Sequence, residues 1–373
     1  MNNLRQKNAG FTITELMIAA TLGLILITGM ISTFLGTKRS SELNTAISNM
    51  QESARFAMAA ISRDIRIAGY QGCLDVNTSS ALIRGNNAPT TNLMASVVTG
   101  SIVVSPNAWL PPPPRTFLYP GNGVTPVAGT HALALQFGSP SVSRLSGQMF
   151  QTGNSLNAPV PLADNDTGLR NDDLAIISDC EAADLFKVTE APMGAGDLTH
   201  VPFDNGNNGN LSKAYGHPTS IAETQVMKFN SNVYFIGTRG ELTESGDPMR
   251  SLYVQTLPYV ATNPPTELVE GIENLRVRFG VRQNNGSLAY FAPNQSGYNP
   301  SRIETVQLGV LMSSYERIRT DSDEQTYFLA GQAIPAAMTG AMVTDGLSHS
   351  NNTQYRLVFN TTVKVRNRRD QEI

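Results

Sequence analysis

The sequence predicts an α+β fold, one long N-terminal helix packed on an antiparallel sheet, and three observations carry that prediction. Leu16 to Leu35 is apolar and free of charged residues. Ile47, Met50, Ala54, Ala57 or Met58, Ile61 and Ile65 then recur at intervals of three and four, the spacing of one helical face. Further on, Leu275, Val277, Phe279 and Val281 alternate with Arg276, Arg278 and Arg282, the period of a strand with one buried face.

The charge-free stretch holds only small polar residues, Thr21, Thr28, Ser32 and Thr33. At about 1.5 Å per residue it is just long enough to cross a bilayer core of about 30 Å. Before it, Met1 to Gly10 carries Arg5 and Lys7 and no acid, like the charged region of a secretory signal. Lys38 and Arg39 stand on the other side, so the cation count does not fix the orientation. Opposite the apolar stripe lie Glu52, Arg55, Arg63, Asp64 and Arg66, and no proline occurs before Pro89. One nearly continuous helix is expected from Phe11 to about Ala68, closed by Gly69 and spanning roughly 85 Å. A coiled coil is the alternative, but the stripe covers only about three heptads.

After Gly69 the chain reads as β-rich. Val306, Leu308, Val310 and Met312 alternate with polar neighbours, as do Leu357, Phe359, Thr361, Val363 and Val365. Weaker strands are predicted at His131 to Phe137, Leu174 to Ser178, Val226 to Gly237 and Ser251 to Leu257. Pro111 to Pro114 and Asn205 to Asn210 signal loops, and the Asn, Gly and Ser-rich stretches suggest large surface insertions. With 40% hydrophobic residues the chain can supply a substantial core. Only 15% of residues are charged and the net charge is -3, which gives no footing for electrostatic binding of nucleic acid.

Reactive constellations are missing from the sequence. His131, His200, His217 and His349 are scattered without ligand spacing and read as surface or turn residues, so no metal is expected. Neither a G-x-S-x-G elbow nor a phosphate-binding G-x-x-x-x-G-K-[ST] loop occurs; Gly121 to Gly129 lacks the lysine. Asp164, Asp166, Asp172 and Asp173 crowd a short segment, but the glycine spacing and the missing final Glu do not fit a calcium loop. A turn into the strand at Leu174 accounts for them. The expectation is a protein that is not an enzyme and needs no cofactor.

At the N-terminus, Gly10-Phe11-Thr12-Ile13-Thr14-Glu15-Leu16 resembles the signal of type IV prepilins, in which the cleavage site precedes the apolar run. The resemblance implies cleavage between Gly10 and Phe11 by a membrane-embedded prepilin peptidase, N-methylation of Phe11 and retention of the helix. In that family the residue at the place of Glu15 pairs with the N-terminal amine of a neighbouring subunit. The alternative for Glu15 is an interfacial carboxylate resting among headgroups. Gln51-Glu52-Ser53-Ala54-Arg55-Phe56-Ala57 and Arg63-Asp64-Ile65-Arg66-Ile67-Ala68-Gly69-Tyr70-Gln71-Gly72-Cys73 resemble the QExARxAxxxLxRDIRxAGYxGC run of PilW-type minor pilins. Similarity continues over Leu268 to Gly280 and Phe359 to Arg368, whereas the membrane helix lacks the proline of major pilins.

The resemblance implies a pilin-like α+β fold: leader 1–10, transmembrane helix 11–35, amphipathic spine 36–68 and a globular domain 69–373. It also implies a minor pilin that joins other minor pilins to prime type IV pilus assembly and sits at the pilus tip. The expected partners are other minor pilins, the major pilin, a tip adhesin, the prepilin peptidase and the inner membrane. The expected course runs from the inner membrane, with the domain periplasmic, to the pilus at the cell surface. A minor pseudopilin of a type II secretion system is the nearest alternative, and a signal-anchored periplasmic enzyme a remote one. In such a compartment Cys73 and Cys180 are an even pair and favour a disulfide, with buried free thiols as the alternative.

Overall fold

The structure, a computed structural model, describes residues 11–75, 79–85, 88–115, 117, 119, 123–149, 158–200, 208–217, 223–260, 262–338 and 343–367. The leader residues 1–10, Gly10 included, and residues 205–207 of the second predicted loop lie outside them. By its internal contacts the chain divides into a unit ending at Asn49 and a second unit beginning at Met50.

Helix α1 (Ile13–Ile67) runs through the end of the first unit into the second, close to the predicted bounds. In the first unit its apolar side chains from Leu16 to Leu35 are largely exposed all round the helix, as suits an apolar surrounding. The few hydroxyls in this stretch turn back on their own helix. Thr21, Thr28, Ser32 and Thr33 donate to the carbonyls of Met17, Leu24, Thr28 and Gly29 at 2.8–3.1 Å. No polar side chain there depends on water for a partner, which is what burial in hydrocarbon demands.

In the second unit α1 buries Ala54, Ala57, Ile61 and Ile65 completely, and Ala68, just past its end, is buried as well. Small residues at the first two places let the helix approach closely, and the two isoleucines contribute roughly 1.5–3 kcal/mol each by leaving water. The sheet system is built on one 14-residue strand, Gln225–Thr238. Its beginning pairs with Leu174–Ser178, its middle with His131–Gly138 and its end with Ser251–Gln255, all antiparallel. The eleven-stranded sheet extends outward to Ala183–Lys187, Val98–Ser105 and the edge strand Thr266–Glu270. A separate four-stranded sheet has the order Leu288–Phe291, Ile272–Arg282, Ile303–Arg317, Gln354–Lys364. Every strand predicted from alternation is present.

Leu174–Ser178 has no polar alternation because both of its faces are covered. Ala175 and Ile177 join a core with Phe186, Leu198 and Tyr215, while Leu174 and Ile176 join another with Leu185, Met227 and Phe229. The single buried face predicted for Ile272–Arg282 is likewise corrected to two. Asn274 and Arg276 are buried, and both donate to the Gly346 carbonyl, at 2.6 and 2.7 Å. Those side chains hold the 343–350 segment over the sheet, where a strand with one wet face would have left them in water.

The end of α1 is fixed by a carboxylate. Asp64, placed by periodicity on the solvent face, is only 1% exposed. It accepts hydrogen bonds from Tyr234 Oη at 2.6 Å, Asn232 Nδ2 at 2.7 Å and Arg63 Nε at 3.3 Å. The expectation fails because periodicity assigns faces by apolarity, and here a polar side chain is buried against partners 168 and 170 residues away. Burial and then the Asp64 charge push the Tyr234 hydroxyl well above its usual range, so it stays a donor. Past Ile67, Gly69 turns the chain with φ +82° and donates its N–H to the Gln136 carbonyl at 2.9 Å. A Cβ at Gly69 would stand 2.8 Å from Val97 Cγ1 and strike the Asn367 carbonyl, so the turn needs glycine. Asn367 Nδ2 donates to the last helical carbonyl, that of Ile67, at 3.2 Å.

The histidines correct another expectation. His217 is exposed, but His131, His200 and His349 are buried within 2% of complete. Each has a backbone partner: the Val277 N–H donates to His131 Nδ1 at 3.1 Å, and His200 Nε2 and His349 Nε2 donate to the carbonyls of Ala158 and Gln325 at 3.1 and 2.6 Å. Burial, then the Arg276 charge, push His131 down to about 3.

Two outcomes follow from these contacts. Asp64→Ala leaves one buried and one half-buried donor unpaired and should lower unfolding free energy by about 3 kcal/mol. Arg63→Ala, at an exposed side chain, should cost under about 1 kcal/mol; denaturant titration of the detergent-solubilised chain separates them. His131 resists protonation when folded, whereas the unfolded side chain titrates near 6.5. Stability should therefore fall as pH drops below about 6.5, and His131→Gln should flatten that slope by about 2 kcal/mol between pH 6.5 and 5.

Candidate assembly site

The N-terminal segment is built for a reason visible in its first turn. Thr12 precedes the helix, and its backbone N–H and hydroxyl both donate to Glu15 Oε2, at 3.0 and 2.9 Å. Glu15 N–H donates in return to Thr12 Oγ1 at 3.3 Å. This T-x-x-E exchange is a capping box, satisfying helix-end donors that have no partner of their own. It also sets a carboxylate at the positive end of the helix dipole. Phe11 lies immediately outside the cap and is 89% exposed. Glu15 thus has one local role in the isolated chain, and it remains exposed. Thr12 was not singled out in the sequence; the spacing of a Thr three residues before Glu15 was the signal available.

At the other end of α1, Cys73 and Cys180 form a disulfide with Cα atoms 4.6 Å apart. It joins residues 107 apart in sequence, tying the helix exit to the segment just past Leu174–Ser178. Gly72, with φ +79°, makes the approach possible, since a Cβ there would lie 2.9 Å from Met227 Cε and 3.2 Å from Ser178 Cβ. Neither Asp64 nor Asn367, the two residues that fix this end of the helix, was read from sequence as part of a site.

The acidic segment before Leu174 is a braced turn. Asn165 Oδ1 accepts from the Leu169 N–H at 2.9 Å, and its Nδ2 donates to the Pro192 carbonyl at 2.7 Å. Asp172 pairs with Lys187 at 2.6 Å and Asp173 with Lys228 at 2.8 Å. Among the described residues no three His, Cys, Asp or Glu side chains are grouped to hold a metal.

Residues 5–31 match the prokaryotic N-terminal methylation motif. Together with the apolar helix, that match defines a prepilin-type protein, which fits anchoring in the inner membrane followed by assembly into a pilus. Residues 233–367 match the family described as Type IV Pilus-assembly protein W, so the chain is a type IV pilus-related pilin with a PilW-type C-terminal region. No curated protein and no solved structure matches the chain.

Removal of the disulfide should destabilise the globular unit by about 2–5 kcal/mol. The measurement is denaturant unfolding of Cys73→Ser/Cys180→Ser against wild type, with thiol alkylation confirming one intramolecular bridge in the unreduced protein.

Proposed function

We propose that the chain is a minor pilin that joins other minor pilins to prime type IV pilus assembly and stays at the pilus tip, in contact with the major pilin and a tip adhesin. The observation that carries the reading is the pairing of a methylation-type N-terminus with a PilW-type region on one chain. In this reading residues 1–10 are the leader, 11–35 the membrane segment, 36–68 the amphipathic part of the spine and 69–373 the globular domain. Prepilin peptidase cuts between Gly10 and Phe11, and the new amine of Phe11 is methylated.

Glu15 then serves twice. Within its own chain it caps α1; in the filament it pairs with the Phe11 amine of a neighbouring subunit. A carboxylate in an apolar segment costs a few kcal/mol unless compensated. A cation supplied by a neighbour in a low-dielectric setting compensates it far better than one in water. That cost is what makes docking favourable.

The two roles separate by substitution. Glu15→Gln keeps an acceptor for Thr12 and loses the charge, whereas Glu15→Asp keeps the charge on a shorter stem. In a host lacking the native gene, the Gln variant should give at least about tenfold fewer surface pili at matched protein level, and Asp should restore part of the loss. Mass spectrometry should find the N-terminus at methylated Phe11 in both. Wild-type piliation by the Gln variant would leave capping as the sole role of Glu15. An N-terminus beyond residue 30 would overturn the pilin reading altogether.

A further inference from the structure

On the second unit, one groove runs between the exposed side of α1 and the open edge of the sheet. Glu52, Ser53 and Phe56 form one wall, and Glu267 to Glu270 of the edge strand Thr266–Glu270 form the other. Three properties set it apart. First, this strand pairs only with Ser251–Gln255, so its second edge has no strand beside it among the described residues. Second, Phe56 is 57% exposed, whereas the other large apolar side chains of α1 in this unit are buried or half-buried. Third, Glu52 and Glu270 are exposed and form no ion pair among the described residues; Glu267 has Arg239, at 3.8 Å. The cleft near Tyr259 contrasts with it, because its charges are already matched as Asp172 with Lys187 and Asp173 with Lys228.

We propose that this groove is a docking surface for an extended, basic segment of a neighbouring pilin subunit, which adds as a strand beside Thr266–Glu270. The unpaired edge supplies backbone donors and acceptors, which fix an extended conformation and give affinity without specifying side chains. Phe56 offers a ring face to an ammonium or guanidinium, and Glu52 and Glu270 flank it with negative charge. An acidic segment meets like charge here, so the groove discriminates by sign. The proposal rests on the pilin reading, since it takes the occupant to be another subunit of the same assembly.

The test places a photo-crosslinking benzoylphenylalanine at position 56 of the full-length chain in its piliated native host. A second chain carries it at Leu347, an exposed position outside the groove. The expected result is an adduct from position 56 alone. Its crosslinked peptide should come from another protein with a prepilin-type N-terminus and should carry Lys or Arg next to the crosslink. Glu52→Lys with Glu270→Lys should cut its yield at least about tenfold, while Arg239→Ala should leave most of it. The proposal is overturned by no adduct, by the same adduct from both positions, by a partner lacking the N-terminal signal, by an acidic or neutral peptide, or by a yield indifferent to charge reversal. Any of these outcomes together with a methylated Phe11 N-terminus removes the groove and leaves the pilin reading standing; an unprocessed N-terminus removes both.

Discussion

Everything in the globular unit that concerns the helix is organised around the burial of Asp64. A carboxylate out of water is stable only with hydrogen-bond partners in place, and here they come from alternate residues of the 14-residue strand Gln225–Thr238, at Asn232 and Tyr234. That strand is common to two halves of the large sheet, pairing with Leu174–Ser178 at its start and Ser251–Gln255 at its end. Fixing the helix to it fixes the helix to both. Ala54, Ala57, Ile61 and Ile65 supply the apolar attraction, which is indifferent to small slides and rotations. Asp64 supplies the register, because displacement by a turn strands a charge.

Much of this was legible in the residues. The helix bounds, the α+β class and the strands at Ile272, Ile303 and Gln354 follow from apolar periodicity, since period is a direct image of which side chains leave water, whereas those at His131, Leu174, Gln225 and Ser251 show more weakly as short apolar runs. What periodicity could not show was polar burial. Asp64, Arg276, Asn274, His131, His200 and His349 all appear solvent-bound on an apolarity count, yet each is enclosed with partners far away in sequence. Short or irregular strands such as Ala183–Lys187 and Thr266–Glu270 escaped for a related reason: their register is dictated by neighbours rather than by their own pattern.

The site at the N-terminus shows the opposite balance. Glu15 stands out in the sequence because a carboxylate is costly at the head of an apolar run, and Gly10 and Phe11 because their junction resembles a prepilin signal. The structure adds Thr12, whose hydroxyl gives Glu15 work inside its own chain. A residue that caps its helix while remaining exposed is held in place before any neighbour arrives, so the pairing proposed for it would require little further ordering.

The cap at the far end of α1 has a bearing on the order of events during biosynthesis. Asn367 closes the carbonyl end at Ile67 across 300 residues of chain, and the Asp64 contact to Tyr234 spans 170. Contacts of such separation form late, because the intervening chain must first be brought together. A polypeptide threading out through a membrane from its N-terminus therefore carries its helix with the last turn unfinished for almost the whole of translocation. The spine becomes a finished part only when the end of the C-terminal strand has emerged, so a truncated chain would reach the membrane with its anchor but without a completed joint between helix and domain.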